Sequence, residues 1–170
     1  TFVEIDLFKG PGSGLGYTML QSRKFLQEPF IFCSCDTIIS NKISPPLDNW
    51  VGYSLKKSSP HYRGVLIQKE NISMFVDKNQ LLNENVYPYI GLSSIKDYDY
   101  FWEVMINGGN EAIDEGEVYG LKNLLPKKNI KAKDFEWRDM GNLISFKEAE
   151  DFFKRNDSPV ILEKEDENIW

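Results

Sequence analysis

The sequence predicts an α/β domain on a mixed, mostly parallel central sheet, and three features of its 170 residues carry that expectation. Short apolar runs bounded by turn residues alternate with stretches of helical periodicity. One run, Phe30 to Cys35 (FIFCSC), is apolar or small throughout, the pattern of a parallel strand covered on both faces. The chain is also long enough to bury roughly 70% of the surface its unfolded form exposes, so one core is expected.

Thr1 to Phe8 (TFVEIDLF) alternates apolar and acidic residues, as a half-buried strand does, and Gly10-Pro11-Gly12-Ser13-Gly14 ends it. Gly16 to Leu26 places Tyr17, Met19, Leu20 and Phe25 at helical spacing, closed by Glu28-Pro29. After the FIFCSC strand, Ser40 to Asn49 contains Ser44-Pro45-Pro46 and is irregular. Trp50 to Leu55 and Gly64 to Gln68 read as strands around a polar tip, Lys56 to Arg63. Asn71 to Val76 and Tyr87 to Ser93 are further strands, and Tyr98 to Met105 is an aromatic helix whose stripe Tyr98, Phe101, Trp102 and Met105 should pack in the core. Asn107-Gly108-Gly109-Asn110 is a strong turn signal, Glu117 to Leu125 a short helix stopped by Pro126, and Ile130 to Trp137 a strand. Ser145 to Arg155 carries Phe146, Ala149, Phe152 and Phe153 on one stripe of a last helix. Residues 1–156 form the expected domain, and residues 157–170 a tail or the start of a second one.

Composition narrows the function. Charges of both signs are interspersed among 41% apolar residues, which excludes a disordered chain. A net charge of −6 without a basic, aromatic-interleaved stripe argues against nucleic acid as a partner. No apolar run approaches the ~18 residues of a membrane span, and Thr1 to Lys9 lacks a signal-peptide layout, so a cytoplasmic protein without a membrane partner is expected. Cys33 and Cys35 read as two small buried thiols of a reducing compartment, too close on one strand for an unstrained disulfide. With His61 as the single histidine, a zinc site of the usual type would lack ligands.

Ligands of open α/β sheets bind beyond the carboxyl ends of the strands, and Asp36 stands directly after a buried one. Around it lie Gly12-Ser13-Gly14-Leu15-Gly16-Tyr17, Tyr62-Arg63-Gly64-Val65, Asp77-Lys78, Tyr89-Ile90-Gly91-Leu92, Glu115-Gly116-Glu117 and Trp137-Arg138-Asp139-Met140-Gly141-Asn142. In order and spacing, from about Phe2 to Phe153, these segments resemble the sugar-phosphate nucleotidyltransferases. The resemblance implies their Rossmann-like nucleotide-diphospho-sugar transferase fold, lacking its N-terminal part. It implies Mg²⁺ as cofactor, held by Asp36 and Asp139, with Lys78 on the acceptor phosphate as the third catalytic residue. Gly14, Leu15, Gly16 and Tyr17 would lie against the nucleotide base, and Gly64, Asp77, Gly91 and Glu117 against the acceptor. This chain departs from the family at Cys35, where a glycine is usual, at Asp77 for glutamate and at Asn142 for threonine.

The chemistry so implied transfers a nucleoside monophosphate from a nucleoside triphosphate to a sugar phosphate, releasing pyrophosphate, in the synthesis of surface polysaccharide precursors. Both reactants are anions, so cations and rigid positioning matter more than a base, and an acceptor phosphate ionised at neutral pH needs no histidine. The family's Gly-rich triphosphate loop, with its arginine and downstream Pro-Lys, has no counterpart here. The expectation is therefore a polypeptide inactive by itself, or completed by other residues. One alternative acceptor is phosphocholine or a similar small phosphorylated alcohol or amide, favoured by the tail Val160 to Trp170, which resembles the first strand of a fused kinase-like domain. A different class of reading is a non-catalytic nucleotide-sugar-binding or scaffold domain. An exposed sheet edge would further invite association into a homo-oligomer.

Overall fold

The longest strand organises the molecule. In the computed structural model, which describes residues 1–55, 61–80 and 85–155, β6 (Val86–Ile95) pairs with three other strands. Ser94 lies opposite both Ile31 of β1 (Phe30–Cys33) and Trp50 of β3 (Trp50–Tyr53), so these two strands flank it on opposite edges. The first residues of β6 pair instead with β4 (Gly64–Gln68), through Gly64↔Pro88 to Leu66↔Val86. From β3 the ladder continues to β7 (Lys131–Asp134), then β5 (Asn71–Val76) and β4, and so returns to β6. Five strands thus close into a barrel-like sheet, with β1 appended to one edge. Separately, β2 (Thr37–Ile39) and β8 (Trp137–Asp139) make a two-stranded ribbon.

The sheet is mixed, but the expected parallel majority is absent: β3–β7 is the parallel pairing, and the other five pairings of this sheet run antiparallel. Connection length explains it. Lys69 and Glu70, both at positive φ (48° and 68°), turn β4 directly into β5, and a turn that short allows only an antiparallel hairpin. Parallel pairing requires a long crossover. Here three helices, α2 (Tyr98–Asn107), α3 (Gly109–Glu115) and α4 (Glu117–Leu124), intervene before β7 reaches the edge of β3. The continuous apolar run of β1 accordingly belongs to an edge strand: Phe32 packs toward the helices and Ile31 toward the second cluster described below.

Two apolar clusters sit on opposite faces of the sheet. The larger joins Phe30, Val51 and Ile130 of the sheet side to Phe101, Trp102, Met105, Val118, Leu121 and Leu124 of the helices. Phe101 and Met105 are fully buried and Trp102 nearly so, as the stripe on α2 predicts, while Tyr98 is half-buried against them. Full burial of each such side chain contributes roughly 1.5–3 kcal/mol. The Trp102 ring stacks on Phe30 at 5.4 Å, and its indole N–H donates to the Leu26 carbonyl at 2.8 Å, past α1 (Leu15–Ser22) and the 3₁₀ turn Arg23–Phe25. The smaller cluster, Trp50, Ile90, Leu92, Phe135 and Trp137, lies beneath the β2–β8 ribbon. Buried Asn49 fastens the start of α2: its side-chain oxygen accepts from the Lys96 and Asp97 N–H groups at 2.9 and 3.1 Å.

Several expectations are corrected. Thr1 to Phe8 forms no strand; its alternation buries only Val3 and Ile5 partway, and no partner strand lies alongside. The Asn107–Asn110 signal is a joint between α2 and an unforeseen helix, α3, which has only Ala112 buried and hence no apolar stripe to read. Ile130 to Trp137 divides into β7 and β8, which belong to different sheets. Cys33 and Cys35 are both exposed, because the first ends the edge strand and the second sits on the following turn. The Ser145 to Arg155 helix begins earlier, as α5 (Leu143–Arg155), with Ala149 buried and Phe146 exposed. The tip Lys56–Pro60 and the tail 157–170 lie outside the described residues. Among the described residues no helix is long and apolar enough to cross a membrane.

Candidate functional site

A bulge in β6 shapes the site. Between Ser93, opposite Val51, and Tyr89, opposite Tyr53, β6 has more residues than β3, and the excess is taken up around Gly91 at φ +70°. The bare Gly91 backbone lets the turn Ser34–Thr37 sit directly on it: Ser34 N–H donates to the Gly91 carbonyl at 2.7 Å, and the Thr37 hydroxyl donates to the Ile90 carbonyl. A Cβ on Gly91 would stand 2.4 Å from Ser34 Oγ. That turn carries Asp36.

The β2–β8 ribbon then brings in the second acidic residue. Thr37 pairs with Asp139, and Met140 N–H donates to the Asp36 carbonyl at 2.9 Å. A Cβ placed on Gly141 would lie 3.2 Å from Asp139 Oδ1 and 3.3 Å from Asp36 Oδ2, so carboxylate oxygens from positions 103 residues apart converge on one small space. Both Asp139 oxygens have donors: Gly141 N–H to Oδ1 at 3.0 Å and the Tyr62 phenol to Oδ2 at 3.1 Å. Tyr62 stands edge-on against Trp137, ring centroids 5.1 Å apart, which fixes the phenol; burial and the Asp139 bond raise its pKa. Two hard carboxylate donors around a space that a side chain would fill suit Mg²⁺, which takes few protein ligands and completes its shell with substrate and water. Among the described residues no group of three or more His, Cys, Asp or Glu offers a closed metal cage.

These carboxylates open onto a cleft of about 610 Å³, lined also by Leu15, Arg63, Lys78, Tyr89, Gly91, Glu115 and Glu117. Glu117 begins α4 and is 5% exposed; burial raises its pKa, an effect eased by its own N–H, by the Tyr89 phenol donating to Oε1 at 3.0 Å and by the charge of Arg63. The Tyr89 phenol is pushed well up by burial and by Glu117.

Of the residues singled out in the sequence, Asp36, Asp139, Lys78, Leu15, Gly91 and Glu117 line this one cleft. Gly14, Gly16, Tyr17, Gly64 and Asp77 do not. Cβ atoms on Gly14 and Gly16 would fall 2.2 Å and 1.9 Å from the Ile113 and Ala112 carbonyl oxygens, so these glycines let α1 cross α3 at backbone contact. The Tyr17 phenol donates to Asp6 at 2.6 Å. Gly64 makes room for Val86, 2.5 Å from its would-be Cβ, inside the sheet. Asp77 pairs with Lys122 at 3.1 Å and faces Arg63 Nε at 3.4 Å. Tyr62, Arg63 and Tyr89 were not foreseen as site residues; the side-chain partners of Tyr62 and Tyr89 lie 77 and 28 residues away, and Arg63 faces Asp77 across the β4–β5 hairpin. Their proximity to Gly64 and Gly91 was the available signal.

No protein-family model and no curated protein matches this sequence. Solved structures do match. A UDP-glucose pyrophosphorylase complexed with UDP-glucose superposes with a TM-score of 0.64 at 20% identity, covering 84% of this chain and 62% of the other. The inositol-1-phosphate CTP transferase of T. maritima gives 0.58 at 13% identity, over 78% of this chain and 57% of that one. A CTP:phosphocholine cytidylyltransferase of Streptococcus pneumoniae gives 0.61 at 8%, over 82% and 64%. The chain spans about 60% of the length of the structures it matches. Its fold is the one found in the sugar-phosphate nucleotidyltransferases.

Proposed function

We propose that the cleft is the metal- and acceptor-binding part of a nucleotidyltransferase that joins a nucleoside monophosphate to a sugar phosphate, with pyrophosphate as the leaving group. The observation that carries this reading is the convergence of Asp36 and Asp139 on one small space at the rim of a cleft that also holds Lys78 and Glu117. In the reaction an oxygen of the acceptor phosphate attacks the α-phosphorus in line, and the bond to the β-phosphate oxygen breaks; no proton need be removed from an ionised phosphate. Asp36 and Asp139 would hold a Mg²⁺, which would supply positive charge to the transferring phosphate. Lys78 meets the acceptor phosphate as a point charge. Glu117, whose Oε1 accepts from Tyr89, presents a hydrogen-bonding carboxyl to the cleft, which suits a hydroxylated acceptor over phosphocholine, a molecule with no hydroxyl to give. The product would be a nucleotide sugar of the kind consumed in surface polysaccharide synthesis in the cytoplasm.

Calorimetry with Mg²⁺ and UDP-glucose tests the reading on three proteins: the native chain, Asp36→Ala and Asp139→Ala. Mg²⁺-dependent binding by the native chain should weaken at least about tenfold in both variants, as loss of a charged metal ligand demands. Equal binding by all three would favour a non-catalytic scaffold and overturn the proposal.

A further inference from the structure

Arg63 occupies an unusual position in the cleft. It precedes β4, with its backbone carbonyl accepting from Tyr89 N–H at 2.8 Å, so the residue is anchored to the barrel. Its side chain is 23% exposed and lines the cleft, yet its buried Nε–H has no hydrogen-bond acceptor. Asp77 Oδ1 lies 3.4 Å from that Nε, near enough for charge attraction but without hydrogen-bond geometry, and Asp77 is engaged more closely by Lys122 at 3.1 Å. A guanidinium whose nearest counter-charge is shared with Lys122 and whose buried Nε–H lacks an acceptor is costly to hold half-buried. Arginine's planar fork of donors matches the oxygens of phosphate or carboxylate.

We infer that Arg63 binds an oxyanion of the acceptor, a phosphate or a carboxylate, in the cleft that it lines together with Lys78. The inference rests on the acceptor-side reading of the cleft but not on the metal, so it is tested without one. Asp77 sets the strength of the site by competing for the same guanidinium. Lysine at position 63 would keep the charge and lose the fork.

The experiment is titration of the native chain, in EDTA, with glucose 1-phosphate, glucuronate and uncharged glucose, followed by protein NMR. Arg63→Gln should weaken one of the two anions roughly 10- to 100-fold, the factor corresponding to a charge-assisted hydrogen bond, and leave glucose unchanged. Arg63→Lys should fall between, and Asp77→Asn should bind the same anion more tightly than the native chain. Selective loss of glucose 1-phosphate identifies a phosphate as the oxyanion, and selective loss of glucuronate a carboxylate. Native-like binding of both anions by folded Arg63→Gln, or binding of neither by the native chain, overturns the inference. Because no metal is present, the outcome is independent of whether Asp36 and Asp139 bind Mg²⁺.

Discussion

Gly91→Ala should be among the more damaging single-methyl additions in this protein, because it strikes the joint on which the Asp36 turn rests. Gly91 has φ +70°, where a side chain costs about 1–2 kcal/mol. Its new Cβ would meet Ser34 Oγ at 2.4 Å, Ser34 Cβ at 2.8 Å and Thr37 Oγ1 at 3.3 Å, an overpacking worth about 1–3 kcal/mol. The sum, about 2–5 kcal/mol, is a large share of the stability of a typical domain. Urea unfolding of the native chain, Gly91→Ala, Ser34→Gly and the double variant separates the two contributions. Ser34→Gly removes both of the closest atoms, so the double variant should be more stable than the sum of the single effects by about 1–3 kcal/mol, leaving the backbone cost behind. Additivity within about 0.5 kcal/mol, or a Gly91→Ala protein within about 1 kcal/mol of native, would refute the account of the joint.

Two other outcomes are expected. Burial makes the folded state hold the Glu117 proton more tightly than the unfolded chain, whose carboxyl titrates near 4.5. Stability from this group is therefore greatest below that value and declines as pH rises through the higher folded pKa. Glu117→Gln, which keeps an oxygen for Tyr89, should gain in melting temperature over the native chain at pH 7 and lose that advantage near pH 4; a gain that persists at pH 4 contradicts the assignment. Tyr62→Phe removes one of the two donors that orient Asp139, and should weaken Mn²⁺ binding, followed by EPR, about tenfold without loss of folding. Unchanged Mn²⁺ affinity would mean that the Gly141 N–H alone holds the carboxylate.

Much of this protein was legible in the sequence because the relevant signals are local. The residues of β4 and β5 follow from apolar runs between turn residues, and α2 from the spacing of Phe101, Trp102 and Met105, since a period of 2 or 3.6 is written within a few consecutive residues. Asp36 after an apolar strand and Asp139 in the Trp137–Asn142 segment were singled out through the family resemblance, and both line the one cleft. What the sequence could not determine were relations between distant backbones. Whether β1 is central or at an edge, and whether β3 runs parallel to its neighbours, depends on which strands meet, and those contacts span tens of residues. Gly14, Gly16 and Gly64 read in sequence as ligand-facing glycines, and in the structure they also let helix approach helix or strand approach strand, because a missing Cβ serves either purpose. Likewise Tyr62 finds Asp139 only across 77 residues of chain, whereas Arg63 meets Asp77 across the β4–β5 hairpin, beside the Gly64↔Val76 pair. The sequence by itself determined the kinds of element and the residues able to do chemistry. The tertiary structure decided which of them share one cleft, since only closure of the sheet and the β2–β8 ribbon brings their side chains within reach.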